Sequence, residues 1–325
     1  MFCSLALAKR TKNLALNKAL TFLFGKPPLE ITLAKTANLT NCANCGAVLS
    51  WEYCAVCGQK KENGKDFSFV HFLRTTFHAF TNFDTKFFAT FRKLVRSPGF
   101  LTLDYIQGHR KKYVGPLQLF LICNLVYFLF PMFDTFTTPL KFQVSRKSAA
   151  NMVANKVKDL GVTYQTYESA FNAEEKSDAK TLVIIMIPFF AMLISVLFLK
   201  QRRYFLEFIV FSFHFFSFFL LFSIIGLRLF YILMKGIGWA ISFLGAKQWA
   251  LELQRFFGTD NGITIVILAI FFVYLFIAIR RVFSQSRFEA FFKSLVSIVF
   301  LATTVVLYRD ALFFTAFYTL RLPVN

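Results

Sequence analysis

The chain has 325 residues, of which 56% are hydrophobic and only 17% charged, with 47 phenylalanines and a formal net charge of +20. A soluble domain of this length covers its apolar residues with a surface about a quarter charged; here the surplus comes in long blocks, which excludes an ordinary soluble fold and points to lipid. A basic balance this large can mean nucleic acid, but residues 1–115 carry 17 Lys/Arg against 6 Asp/Glu immediately ahead of the first apolar block. Basic flanks of that kind follow from the positive-inside rule and from anionic headgroups, so nucleic-acid binding is unlikely and a bilayer partner is expected.

Residues 1–40 form an N-terminal extension in which Lys9, Arg10, Lys12 and Lys18 interrupt short apolar stretches. It lacks the unbroken apolar core of a secretory signal. Residues 41–61 carry the strongest motif of the chain: Cys42-x-x-Cys45, eight residues, then Cys54-x-x-Cys57. Each pair presents two thiolates to one ion, and Gly46 and Gly58 follow the pairs, where a tight turn benefits from positive φ. Two such knuckles make a tetrahedral sulfur site suited to structural zinc, with every position filled by protein. Iron in a rubredoxin-like site and two redox-active pairs are the alternatives, and a reducing cytoplasm favours thiolates and zinc. Cys3 and Cys123 are isolated.

Residues 62–115 are basic and Phe-rich. Phe69, Phe72, Phe77, Phe80, Phe83, Phe87 and Phe91 recur mostly at three- or four-residue intervals with Arg74, Lys86, Arg92, Lys93 and Arg96 between them, the pattern of interfacial helices. Ser97-Pro98-Gly99 breaks the run. The remainder, 116–325, is expected to be a transmembrane helical domain with five spans near 116–133, 181–199, 208–227, 262–279 and 288–308. The fifth requires Lys293 to snorkel. Gly236–Ala246 is too brief to span and reads as interfacial or re-entrant; a sixth segment near Ala311–Leu320 would return the C-terminus inside.

Loop charges orient these spans. The connection Asp134–Lys180 is nearly balanced, whereas Lys200, Arg202 and Arg203, and then Arg280, Arg281, Arg287 and Lys293, are strongly basic. The positive-inside rule then places the N-terminus in the cytoplasm and the C-terminus outside, in the periplasm of a bacterial inner membrane.

A second motif runs from Arg96-x-Pro98-Gly99 through Tyr105-Ile106-x-Gly108-x-Arg110-Lys111-x-Tyr113-x-x-Pro116. Together with Cys57-Gly58-Gln59-Lys60 it resembles an uncharacterised family of bacterial membrane proteins known as domain of unknown function 3667. The resemblance extends over about residues 42 to 308 and includes Glu207-x-x-x-Phe211-x-x-His214, with Phe208 where that family's pattern leads one to expect a first histidine. It implies a zinc-ribbon head followed by several membrane helices, and it carries no activity.

Arg96, Arg110, Lys111 and Tyr113 are candidate headgroup or ligand contacts, since basic and aromatic side chains belong in the headgroup layer. Glu207 and His214 lie seven residues apart on one helical face, which must turn away from lipid. No P-loop, dinucleotide fingerprint, nucleophile elbow or metalloprotease helix is present. The expected fold is therefore an all-α polytopic membrane protein with about five transmembrane helices behind a small zinc ribbon. Two functions follow. One is a scaffold or interaction protein whose cytoplasmic ribbon docks a protein partner. The alternative is a membrane enzyme or transporter in which Arg110, Tyr113, Glu207 and His214 line a site for a lipid or small solute.

Overall fold

The computed structural model describes residues 41–49, 51–61, 86–129, 136–145, 147–243, 245–246, 248–249, 251–252, 255 and 260–320. The expected extension 1–40 and residues 62–85 of the expected interfacial stretch 62–115 lie outside them. Among the described residues the structure is helical apart from two isolated antiparallel bridges, Asn41 with Val48 and Tyr53 with Lys60. The helices are α1 (Lys86–Arg96), α2 (Phe100–Ile106), α3 (Pro116–Leu129), α4 (Leu140–Gln143), α5 (Lys147–Leu160) and α6 (Tyr164–Leu182). They continue with α7 (Met186–Val196), α8 (Phe205–Leu221), α9 (Leu227–Phe243), α10 (Asp260–Val282) and α11 (Arg287–Thr319).

Four helical stretches are long and apolar enough to cross a bilayer: Tyr164–Val196, Phe205–Phe243, Thr264–Val282 and Arg287–Thr319. The protein is thus an all-α polytopic membrane protein. Helix α3 supplies a fifth apolar segment, and its 14 described residues extend about 21 Å at 1.5 Å per residue. The observed boundaries differ from those read from hydropathy. A single 3₁₀ turn, Val183–Ile185, joins α6 to α7, so the helix begins 17 residues before the apolar block, at the cap where Thr163 Oγ1 accepts from Thr166 N–H. A π turn, Phe222–Gly226, joins α8 to α9; the short apolar stretch from Gly236 therefore prolongs a span instead of forming a separate element. Helix α11 runs unbroken for 33 residues because nothing between Ser286 and Leu320 stops it. Ala311–Leu320 is consequently the end of that helix. Its start is fixed by a capping box, in which Ser286 and Glu289 satisfy each other's backbone N–H groups.

The chain divides into two compact units. The first comprises Met1–Gln118 and Ala191–His214, the second Leu119–Phe190 and Phe215–Asn325. In the second unit α10 and α11 pack side by side. Ala290, Ser294, Ser297, Leu301, Thr304 and Tyr308 make the buried face of α11, spaced alternately by three and four residues, and the small side chains among them allow close approach in lipid. Hydroxyls on this face bond back to the preceding turn, Ser294 Oγ to Ala290 O at 2.6 Å and Thr304 Oγ1 to Phe300 O at 2.7 Å. None is left to face hydrocarbon unsatisfied. Helix α6 packs on the C-terminal part of α11 through Tyr167, Phe171, Phe313, Ala316 and Phe317. Rings of α8 stack on α10, Phe218 on Tyr274 at 3.8 Å and Phe219 on Phe271 at 4.9 Å.

The π turn depends on a glycine. A Cβ at Gly226 would come within 2.2 Å of the Phe222 ring, and that ring is held against Phe218 and Phe271. Gly226→Ala should therefore lower the melting temperature in detergent, costing about 1–3 kcal/mol of overpacking. Gly236→Ala, where a Cβ meets nothing within 4 Å, should be neutral or stabilising by up to about 1 kcal/mol. Equal melting temperatures for the two variants would contradict this account of the π turn.

Candidate functional site

The described head of the chain is two copies of one hairpin. In the first, Cys42 N–H donates to Ala47 O at 2.7 Å and Gly46 N–H to Cys42 O at 2.8 Å. In the second, Cys54 N–H donates to Gln59 O and Gly58 N–H to Cys54 O, both at 2.8 Å. Gly46 and Gly58 take φ of 74° and 68°, the left-handed turn that brings the second cysteine of each pair back beside the first. The two hairpins join their sulfurs: Cys42 Sγ lies 3.5 Å from Cys57 Sγ, and Cys45 Sγ 3.5 Å from Cys54 Sγ. All four lie within 4.8 Å of one another. A tetrahedron with metal–sulfur bonds near 2.3 Å has edges of about 3.8 Å, so this donor set fits a single ion.

The crowding of sulfurs shows in their acidity. Cys54 is drawn down to about 7, chiefly by the backbone N–H of Cys57. Cys45 is pushed up to about 12: the pull of the Ala47 N–H is outweighed by loss of water and by the neighbouring sulfurs of Cys54, Cys57 and Cys42. Four thiolates this close repel unless a cation lies among them. With all four ligand positions supplied by cysteine, a bound metal would hold the module together and leave no open coordination site for chemistry.

The same unit contains a second polar site, around the turn between α2 and α3. Gly108 at the head of this turn has φ 97°, and the backbone from 107 to 115 is not helical. Its groups are bonded from several sides. Gln59 Nε2 donates to Gly108 O at 2.7 Å, and Gln59 Oε1 accepts from Arg110 N–H at 3.3 Å. Thr90 Oγ1, in α1, accepts from Val114 N–H at 3.0 Å and donates to Lys86 O at 2.7 Å. Asp104 accepts from His109 through both backbone and side chain, His109 N–H to Asp104 O at 3.1 Å and Nδ1 to Oδ1 at 2.9 Å. The Arg110 guanidinium stacks over Tyr105 at 5.2 Å, and Tyr113 meets Phe100 edge-on at 6.0 Å.

Arg110, Tyr113 and His214 are brought together, lining one small cavity with Leu101, Asp104, Tyr105, His109 and Val114. That cavity is roughly 10 Å³, about the room one water needs. His214 is buried in α8 and its Nδ1 lies 3.0 Å from Thr102 Oγ1. Glu207 does not reach the cavity; it is buried in the first turn of α8 and paired with Arg203 at 3.0 Å. Arg96 and Lys111 are exposed and stand outside the cavity wall. Gln59, Thr90, Thr102, Asp104 and His109 complete the site. Gln59, Asp104 and His109 lie within the stretches singled out above, but no local pattern gives their roles or those of Thr90 and Thr102, since each acquires its role from a partner distant in sequence or from the turn itself.

These features define a multi-pass membrane protein with a four-cysteine module, whose sulfurs are spaced to hold one metal ion, bonded to a polar turn that precedes an apolar helix. Residues 84–128 match the family described as "Protein of unknown function (DUF3667)", the family that the sequence resembles. The matched segment holds α1, α2, the turn and all of α3 but its last residue, and stops short of the cysteines and of His214. No curated protein and no solved structure matches the chain.

Thr90 provides the sharpest test of this geometry, because a single buried hydroxyl serves two backbone groups. Thr90→Val keeps the shape, orphans the Val114 N–H and should destabilise the protein by about 1–3 kcal/mol. Thr303→Val, on the exposed face of α11 where Oγ1 bonds only to Val299 O, should change the melting temperature little. A Thr90→Val melting temperature as high as that of the wild type would show that the bond to Val114 carries no weight.

Proposed function

We propose that this protein is a membrane-anchored interaction protein whose zinc ribbon docks a cytoplasmic protein partner. One observation carries the reading: Val48, Trp51, Tyr53 and Val56 are 74%, 80%, 58% and 75% exposed on a module of about twenty residues. A module so small has little core to spend apolar side chains on. Large aromatic and aliphatic groups held in the open on a rigid turn are what a docking surface uses. Zinc is the metal that four cysteine thiolates in tetrahedral spacing favour in a reducing compartment. Its binding supplies the folding energy that the ribbon's own packing does not.

Charge supports a cytoplasmic position in a bacterial inner membrane. The described residues 86–118 and 191–214 of the first unit contain ten Lys/Arg and two acids. Both acids are engaged with a base, Asp104 with His109 and Glu207 with Arg203. Exposed Lys86, Arg92, Arg96, Lys111, Lys112, Lys200 and Arg202 suit the anionic headgroups of the inner leaflet. The rival reading, an enzyme or transporter, draws on the convergence of Arg110, Tyr113 and His214. A cavity with room for one water accommodates neither a headgroup nor a solute, so the interaction reading is preferred.

A photo-crosslinking amino acid placed at Trp51 in the full-length protein in cells should capture one discrete protein, while the same probe at Lys200 should not. Trp51→Ala should keep one zinc per chain and weaken that association roughly thirtyfold; Cys54→Ser should lose both zinc and partner. Capture of lipid alone at position 51, or undiminished association in Trp51→Ala, would sink the docking role.

A further inference from the structure

The ribbon has a second face, and Gln59 occupies it. This residue lies two positions beyond Cys57 and is only 5% exposed. Its backbone carbonyl closes the second knuckle by accepting from Cys54 N–H at 2.8 Å. Its side chain leaves the ribbon and spends both ends of the carboxamide on the basic turn, donating to Gly108 O and accepting from Arg110 N–H. Arg110 N–H also donates to Gly108 O at 3.0 Å, so one planar amide clamps both ends of that tight turn, on backbone that makes no helix. The next side chains along are those of Arg110, stacked on Tyr105, and of exposed Lys111 and Lys112.

From this geometry we infer that Gln59 is a positioning residue through which metal occupancy of the ribbon sets the conformation of the basic turn 108–113. The inference rests on the metal reading of the four cysteines. The ribbon folds around its ion, so removing the ion releases the knuckle that holds the Gln59 backbone, and the side-chain amide leaves with it. Gly108 O and Arg110 N–H then lose the clamp from the ribbon and keep their bond to each other across the turn. The exposed lysines that meet anionic headgroups are therefore ordered only while metal is bound. A local change at four sulfurs acquires an effect at the membrane surface through one amide.

Amide-resolved hydrogen exchange on the full-length protein in detergent, with metal content measured on the same samples, tests this. Three backbone amides report separately: Cys54 N–H for the knuckle, Arg110 N–H for the contact, and Val114 N–H, bonded to Thr90, for the surrounding fold. In metal-loaded Gln59→Ala, Arg110 exchange should rise roughly threefold or more, with Cys54, Val114 and metal content unchanged. Gln59→Glu keeps an acceptor for Arg110 N–H but no donor for Gly108 O, and should exchange more slowly at Arg110 than the alanine variant. In chelated wild type, Cys54 and Arg110 should lose protection together while Val114 keeps its own. Unchanged Arg110 exchange in loaded Gln59→Ala overturns the positioning role. Loss of protection at Cys54 but not at Arg110 on chelation overturns the link to metal, as does a wild-type preparation that binds none; in that last case Gln59→Ala still decides the contact independently.

Discussion

Non-helical backbone at the foot of an apolar helix is the constraint on which the first unit is organised. Helices satisfy their own N–H and C=O groups, which is why they cross lipid; a turn cannot, and it must borrow partners. Residues 107–115 form such a turn, and the side chains that serve it come from different places in the chain: Gln59 from the ribbon, Thr90 from α1 and Asp104 from α2. The ribbon is thus a structural neighbour of the membrane entry as well as a module in its own right. The segment that matches a known family, 84–128, is centred on this turn.

The buried polar groups of α8 obey the same rule by other means. Glu207 and His214 share a face, as their seven-residue spacing requires, but they answer to different partners. Glu207 is neutralised by Arg203 one turn earlier, and His214 sits against the Thr102 hydroxyl of α2. A carboxylate already paired and an imidazole already hydrogen-bonded account for their burial by satisfaction alone. Neither needs a reaction to explain its burial.

How much of this was legible in the sequence depends on the range of the interaction involved. The cysteine spacing, the glycines after each pair and the apolar blocks are local patterns, and the sulfur cluster, the positive φ angles of Gly46 and Gly58 and the long apolar helices correspond to them. Helix ends were less legible. Hydropathy follows lipid and not hydrogen bonding, so the polar first turns of α6 read as loop and Ala311–Leu320 read as a separate sixth segment, although the first belong to α6 and the second continues α11. The Ser286–Glu289 capping box could have placed the start of α11. Gln59 and Thr90 offered no comparable signal, because their bonds reach residues 49 and 24 positions away. Glutamine and threonine are chemically ordinary until the fold supplies a buried backbone group for them to serve.

The two faces of the ribbon divide its labour. Gln59 is buried and engaged within the chain, whereas Trp51, on the link between the knuckles, is among its most exposed side chains. A four-cysteine centre is rigid once its tetrahedron closes, so what is fixed at one face is fixed at the other. Placing a partner on the Trp51 side of a freely tethered ribbon would tell the membrane domain nothing. On a ribbon held by its glutamine to the turn that precedes α3, a docked partner and a bound metal would share one rigid frame with the basic turn. Their equilibria would then be linked, and whatever stabilised the closed tetrahedron would favour both the ordered turn and the presented surface.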